Sequence, residues 1–337
     1  MKWLFACILL IMLEGCQNPP NYVKLEGLAQ GTSWHVTFWS KDNINSTEIN
    51  REIELQLAEI DLHMSTYRSD SVISRFNSMH SAMAVGNDIL GLIEIAKEVA
   101  SKTEGCYDLT IKPLFDLWGF THNQLTIPTE SALQQTLTYV GLHHLSINNK
   151  MLTKDLPEVH LDLSSIGQGY SVGKVADVLK RYNINNYLVE IGGEMVVHGT
   201  KLDGSAWKIA IEKPLPEQRT MQKVLQVNFP QAIMTSGTYR HYFDHLGQRY
   251  SHIIDARTGK PVIHNTVSVT VLATDPARAD AWSTALLCLG SQQGLAVANQ
   301  NDIKALFIDD NKGVLKEIKT DSYNKIKNIE LNLTTNN

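Results

Sequence analysis

The sequence predicts an α+β fold in one compact unit, with packed helices and mixed or antiparallel sheets. Three observations predict it: helical and strand patterns alternate irregularly, hairpin signals recur, and no long linker divides the chain. The 337 residues are 43% hydrophobic and carry a formal net charge of -5, an ordinary globular composition. The mild acidity, without a basic stripe interleaved with aromatics, excludes nucleic acid as a partner.

The N-terminus reads MKWLFACILLIMLEGCQNPP, with Lys2 ahead of an apolar run. The run is too short for a permanent membrane span and has the form of an export signal. Its end, LEGC, resembles a bacterial lipoprotein box, with Glu14 where a small residue is usual. That resemblance implies a lipidated Cys16. The expected organisation is a signal over 1–15, a tether over 16–26, a domain over 27–325 and a polar tail over 326–337. Cys106 and Cys288 remain after processing; they either pair or leave Cys288 as a buried thiol. No CxxC or zinc pattern is present.

GTSWHVTFWS alternates apolar and polar residues and reads as a strand. STEINREIELQLAEIDLHMSTY is helical, capped by Ser46 or Thr47. DILGLIEIAKEVASKTEG is a second amphipathic helix, stopped by Gly105. IKPLFDLWGF gathers apolar bulk around a proline, and TESALQQTLTYVG is a short helix ended by Gly141. LSINNKMLTK and VHLDLSSIG read as strands, followed by a helix at SVGKVADVLKRY. NYLVEIGGEMVVHGT and WKIAIEKP are expected to pair, with KVLQVNFPQAIMTSGTYRHYF and QRYSHIIDARTGKPV continuing the sheet. HNTVSVTVLA is another strand. PARADAWSTALLCLG starts a helix with SQQGLAVANQ as its neighbour, and DIKALFIDDNKGVLKEI is a hairpin turning near Asn311 and Gly313.

Several of these segments carry chemistry. Asp280 and Thr284, four residues apart, stack on one helix face. Two oxygens there suit a hard cation such as Mg²⁺ or Ca²⁺; the structural alternative is a cap at Asp280 and a bond from Thr284 to a carbonyl. EIGGE at 190–194 sets two glycines between carboxylates, as a bulge or a close approach of backbone to ligand. SSIGQGYSVGK at 164–174 reads as a Gly- and Ser-rich turn feeding a helix, whose N–H groups can hold phosphate. TSGTYRHYF contributes hydroxyls, Arg240 and His241. SHIIDARTGKP contributes His252 and Asp255, the latter also a natural turn cap. TEGCYDLTIKPL brings Asp108, and MSTYRSDS brings Tyr67, able to stack on a flat ring. Together these features point to a large phosphorylated cofactor.

The ordered set MSTYRSDSVISRFN, GCYDLTIKPLFDLWGF, LDLSSIGQGYSVGK, VEIGGE, TSGTYR, HIIDARTGKP and DAWSTALLCLG resembles the FAD:protein FMN transferase family, ApbE, from about Gly27 to about Val314. The resemblance implies an ApbE-like fold and an enzyme that uses Mg²⁺, with Ca²⁺ or Mn²⁺ as substitutes. Such an enzyme cleaves FAD, attaches FMN through its phosphate to a threonine of an acceptor protein, and releases AMP. It further implies metal ligands at Asp280, Thr284 and an oxygen of Ser165, side chain or backbone. Contacts to FAD fall on Gln30, Tyr67, Arg68, Ser69, Asp108, Gln168 and Ile254. Gln168 stands where the family has lysine or glutamate, and Gly173 where aspartate is frequent. His252 is the first candidate to take the threonine's proton, with Asp255 second or as its orienter. The acceptor is expected to be an exported or membrane redox protein. The enzyme is expected to be lipid-anchored in the bacterial envelope, at the inner membrane, facing the periplasm. A metal-dependent FAD pyrophosphatase and a non-catalytic flavin-binding lipoprotein are the competing readings.

Overall fold

The computed structural model describes residues 20–215, 220–327 and 329–331. Cys16 and the expected signal lie outside the described residues. Eight antiparallel strands form the main sheet, and their spatial order follows the chain: Asn21–Ala29, Thr32–Ser40, Tyr187–Ile191, Glu194–His198, Gln231–Gly237, Thr266–Ala273, Lys304–Asn311 and Val314–Lys319. The chain therefore winds back and forth through one sheet, and the other elements are insertions between neighbouring strands.

Residues 41–186 insert the helices Ser46–Met64, Asn87–Lys102, Lys112–Trp118, Glu130–Leu137 and Ser164–Arg181, with a small sheet of Ala82–Ala84, Met151–Lys154 and Leu145–Asn148. Residues 199–230 insert the hairpin Trp207–Glu212 and Met221–Val227, joined by Glu330–Leu331. Residues 238–265 insert two ribbons, and residues 274–303 insert the helix Pro276–Gln300.

Both faces of the central strands of the main sheet are buried. Ala232, Met234, Val269, Val271, Ala305 and Phe307 pack into the helical layer. Ile233, Leu272, Leu306 and Ile308 point the other way, into a core shared with Trp207, Ile209 and Leu225 of the smaller sheet. Two covered faces explain why ALFI is a continuous apolar run and why Ser268 and Thr270, between the valines of SVTVLA, are buried as well. A third cluster gathers Ile111, Leu114, Trp118, Phe120 and Ile254.

Several expectations change. Asn45, not Ser46 or Thr47, caps the first long helix, accepting the Glu48 N–H at 3.2 Å. The second ends at Lys102, three residues before Gly105. Residues 21–26 of the expected tether belong to a strand paired along its whole length, with Val23 and Leu25 turned onto the helical core. The polar tail likewise contains Glu330–Leu331, paired with the Met221–Val227 strand. VHLDLSSIG forms no strand, and the helix begins at Ser164. WKIAIEKP pairs with Met221–Val227 rather than with NYLVE, and the segments from Tyr242 to Pro261 make separate ribbons. Gly192 and Gly193, both at positive φ, form a two-residue hairpin turn between Ile191 and Glu194 rather than a bulge.

The helix Ser164–Arg181 contains three glycines of its signature, and two of them face Pro276–Gln300. A Cβ on Gly169 would collide with the Pro276 carbonyl oxygen and the Asp280 Cβ, and one on Gly173 would sit 2.8 Å from Pro276 Cγ. Pro276 thus accounts for glycine at 173. Pro276–Gln300 breaks at Gly290 (φ 68°, ψ 172°). His264 Nε2 donates to the Leu287 carbonyl at 2.8 Å, and the Ser291 N–H donates to Thr266 Oγ1 at 2.7 Å, so the break is hydrogen-bonded on both sides. Cys106 and Cys288 form a disulfide, with Cα atoms 6.1 Å apart.

The helix crossing yields a prediction. Gly169→Ala lowers stability by about 1–3 kcal/mol through overpacking. Gly167→Ala meets nothing within 4 Å and is neutral or raises stability by up to about 1 kcal/mol through helix propensity. Urea denaturation of the two variants checks the contrast, and equal effects would show that the crossing is not tight.

Candidate functional site

The site is built where the two helices cross beside the ends of the central strands. Asp280 is 4% exposed, and its Oδ2 accepts the Gly169 N–H at 2.8 Å. It does not cap its helix: Asp275 does, accepting the Arg278 N–H at 3.1 Å, with Pro276 in the first turn. Asp280 is one turn inside, an interior carboxylate in an apolar helix. Thr284 follows a turn later, with Oγ1 2.9 Å from Ser236 Oγ at the end of Gln231–Gly237. Ser236 Oγ is also 2.7 Å from Ser283 Oγ, and Ser283 donates to the Asp280 carbonyl at 2.9 Å. Ser165 Oγ donates to Tyr107 Oη at 3.3 Å.

Glu194 opens the neighbouring strand. It is 6% exposed, and its Oε2 accepts the Thr235 N–H at 2.9 Å. Burial raises the carboxyl pKa of both Glu194 and Asp280, and the Asp280 charge raises that of Glu194 further. Arg240 pulls Glu194 the other way but is itself ion-paired with Glu212 at 3.1 Å. Two buried carboxylates with hydroxyls around them, and no lysine or arginine paired with either among the described residues, have the donor chemistry of a hard-cation site.

Gln30, at positive φ in the turn after Asn21–Ala29, donates through Nε2 to Ser171 Oγ at 2.8 Å. A Cβ on Gly192 would lie 2.6 Å from Gln168 Nε2, so the Gln168 amide leans over the glycine turn. Gln30, Gln168 and that turn thus meet at the same end of the helix Ser164–Arg181 as Asp280. Tyr67, Arg68 and Ser69 are exposed on the loop after the first helix. Arg68 is paired with Asp70 at 2.8 Å and Asp61 at 3.3 Å. Thr66 Oγ1, on the same loop, is 3.4 Å from Asp162 Oδ2.

Other expected residues are engaged in structure. Asp108 Oδ1 accepts from Thr110 N–H and Oγ1, and Oδ2 from the Leu142 N–H at 2.8 Å, which occupies both oxygens. It lines a cavity of about 600 Å³ with Lys97, His143 and Arg257. The Ile254 side chain is buried in the third core cluster. Asp255 holds Arg257 at 2.7 Å and receives its N–H at 2.9 Å. His252 is half-buried; Nδ1 is 2.9 Å from the His241 carbonyl, which leaves Nε2 as the acceptor of a neutral ring. Burial lowers its pKa to about 4.

Asp162, Glu194 and Ser236 were passed over as site residues. Asp162 is 7% exposed and accepts the Ser164 N–H at 2.8 Å at the helix start. Their sequence signal is a polar side chain next to apolar strand or helix residues: Asp162 in LDLSS, Glu194 before MVV and Ser236 after AIMT. Cys106, Cys288 and Asp255 also place ligand atoms within 4.8 Å of one another, but bonded sulfurs are no ligands for a hard cation.

The family model for ApbE matches residues 30–307. A FAD:protein FMN transferase of Vibrio cholerae is 40% identical over 327 residues, covering 96% of this chain and 98% of the relative. That of Escherichia coli K12 is 35% identical over 314 residues, covering 88% and 89%. The solved structure of the flavin transferase ApbE from Vibrio cholerae superposes with a TM-score of 0.83 at 39% identity, over 91% of this chain and 99% of that one. The apo form of Pseudomonas stutzeri flavinyl transferase ApbE gives 0.83 at 34% identity, over 90% and 96%. Matched nearly end to end in both sequence and fold, this chain belongs to the ApbE family.

Proposed function

We infer that the chain does what its curated relatives are named for: it is an FAD:protein FMN transferase. The observation that carries this reading to particular residues is the buried oxygen cluster around Asp280. Mg²⁺ fits its donors; Asp280, Thr284 and an oxygen of Ser165 would hold it, with Glu194 and Ser236 adjacent. Bound there, the cation would neutralise pyrophosphate oxygens and polarise the phosphorus under attack.

The chain's own groups supply the rest. The glycine turn at 192–193, with Gln30 and Gln168, would hold the dinucleotide without adding charge. The exposed Tyr67 ring offers a stacking face, and Asp162, rather than Asp108, offers a carboxylate beside that loop. The acceptor's threonine oxygen attacks the phosphorus on the FMN side. The bond from that phosphorus to the bridging oxygen breaks, and AMP leaves with the oxygen. His252 Nε2 would take the threonine's proton, with the ring held by the His241 carbonyl. Asp255, paired with Arg257, fits the turn better than proton transfer.

The anchor and location remain part of this proposal: a lipid on Cys16 would tether the enzyme in the bacterial envelope, within reach of exported or membrane acceptors. Among the described residues no helix is long and apolar enough to cross a membrane.

With FAD, Mg²⁺ and an acceptor protein, mass spectrometry is expected to find the acceptor carrying covalent FMN, with AMP formed in equal amount. Free FMN alone would mark a pyrophosphatase, and intact bound FAD a carrier. Asp280→Asn keeps an acceptor for the Gly169 N–H while removing the charge. The variant should fold with unchanged or higher stability without metal and transfer about 100-fold more slowly, a loss of about 3 kcal/mol. Thr284→Val loses less. A wild-type rate and Mg²⁺ dependence in folded Asp280→Asn would refute the metal assignment.

Since burial holds His252 neutral down to about pH 4, its protonation should inhibit transfer only as pH falls below about 5. An unperturbed imidazole would do so near 6.5. The pH profile of kcat/KM at saturating Mg²⁺ tests this against His252→Ala. An acid limb near 6.5 that vanishes in the variant would contradict the neutral base.

A further inference from the structure

We propose that the Cys106–Cys288 disulfide is a positioning bond for the transfer, so that the site is held in working geometry only while this pair is oxidised. The proposal rests on the transferase reading above.

The bond joins three functional segments. Cys106 precedes Tyr107, whose Oη is 3.3 Å from Ser165 Oγ at the start of the Ser164–Arg181 helix. The Cys106 carbonyl accepts the Ala256 N–H at 3.2 Å, next to Asp255 and four residues from His252. Cys288 lies one helical turn beyond Thr284 and two residues before the break at Gly290. The disulfide is therefore a covalent link from the helix bearing Asp280 and Thr284 to the segment against which the His252 loop is hydrogen-bonded.

Two features make that link sensitive. First, the helix is interrupted just beyond the bond, at Gly290. Its hydrogen-bond ladder stops at Gly290, so the turn holding Cys288 is fixed by the His264 imidazole, by packing and by the disulfide, not by a following turn. Second, the joint is closed: Cys106 is 1% exposed, Cys288 is 5% exposed, and the Asp255 carboxylate lies within 4.8 Å of both sulfurs. A dithiol that reduces the bond delivers two electrons and two protons. The S–S bond breaks, two thiols form, and the reductant closes to a cyclic disulfide. Two unbonded sulfurs need van der Waals separation, and in this closed joint the room comes from moving the helix end or the 252–257 segment. Displacing a catalytic group by about 1 Å is enough to cost about 100-fold in rate.

The test uses the full chain, oxidised and after dithiothreitol, with folding followed by circular dichroism. Free Mn²⁺ is titrated by electron paramagnetic resonance in the presence of FAD, and acceptor flavinylation is measured alongside. Reduction should leave the chain folded, weaken Mn²⁺ binding and transfer by about 10- to 100-fold, and be reversed by reoxidation. A Cys106→Ser, Cys288→Ser double variant should behave as the reduced chain and ignore dithiothreitol. Equal Mn²⁺ binding and transfer in both redox states would overturn the proposal. So would outright unfolding on reduction, which would make the bond a stability element alone. An oxidised chain that transfers no FMN sinks the transferase reading instead, while the Mn²⁺ titration still decides the role of the bond.

Discussion

The geometry of the site depends on one hydrogen bond, from the Gly169 N–H to the Asp280 carboxylate. Two helices can exchange it only where their backbones nearly touch, and the glycines at 169 and 173 provide that approach against Pro276. The bond orients Asp280 but leaves its charge uncompensated by any paired cationic side chain. A buried carboxylate in that condition is unfavourable unless protonated or bound to a cation. The fold thus holds open an unmet electrostatic demand at the place proposed for the cation, and the hydroxyls of Thr284, Ser283 and Ser236 on the adjoining turns bond to one another or to backbone rather than to that carboxylate.

The sheet brings the remaining groups to this point. Glu194 starts one strand, and Ser236 lies near the end of the next, so antiparallel neighbours put a carboxylate and a hydroxyl at the same edge. The chain leaving Ser236 reaches His241 within five residues, and the His241 carbonyl fixes the His252 ring. The hydroxyl touching Thr284 and the carbonyl orienting the His252 ring are thus two ends of one short segment. The central strand Gln231–Gly237 sets the position of the first.

Much of this was legible in the sequence. The i, i+4 pair at Asp280 and Thr284 gave a helix face without further information, and the strands at 32–40, 266–273 and 304–319 followed from patterning. What failed did so for identifiable reasons. SSIGQG read as a turn because glycine disfavours helices, whereas tertiary contact with Pro276 requires glycine inside one. Residues 21–26 read as tether because only Val23 and Leu25 among them face the core, too few to signal burial. The Asp108 carboxylate, beside Tyr107, gives no local sign that the Leu142 N–H, 34 residues away, donates to it. The cysteine pairing joins residues 182 apart and has no local signature at all.

The agreement between spatial and sequential strand order bears on how the chain is assembled during synthesis. No strand must be threaded between two partners already joined, so the sheet can grow outward in the order in which its parts appear. One pairing is delayed far longer than the rest: Thr32–Ser40 meets Tyr187–Ile191 only after residues 41–186 have been made. Until then the first hairpin is an orphan, with Trp34, Val36 and Phe38 lacking the layer that later buries them. Its unpaired edge is a template for association with other chains. The nascent protein therefore has a defined vulnerable interval, ending when residue 191 becomes available, during which a chaperone that shields this hairpin would do the most to raise the yield of folded enzyme.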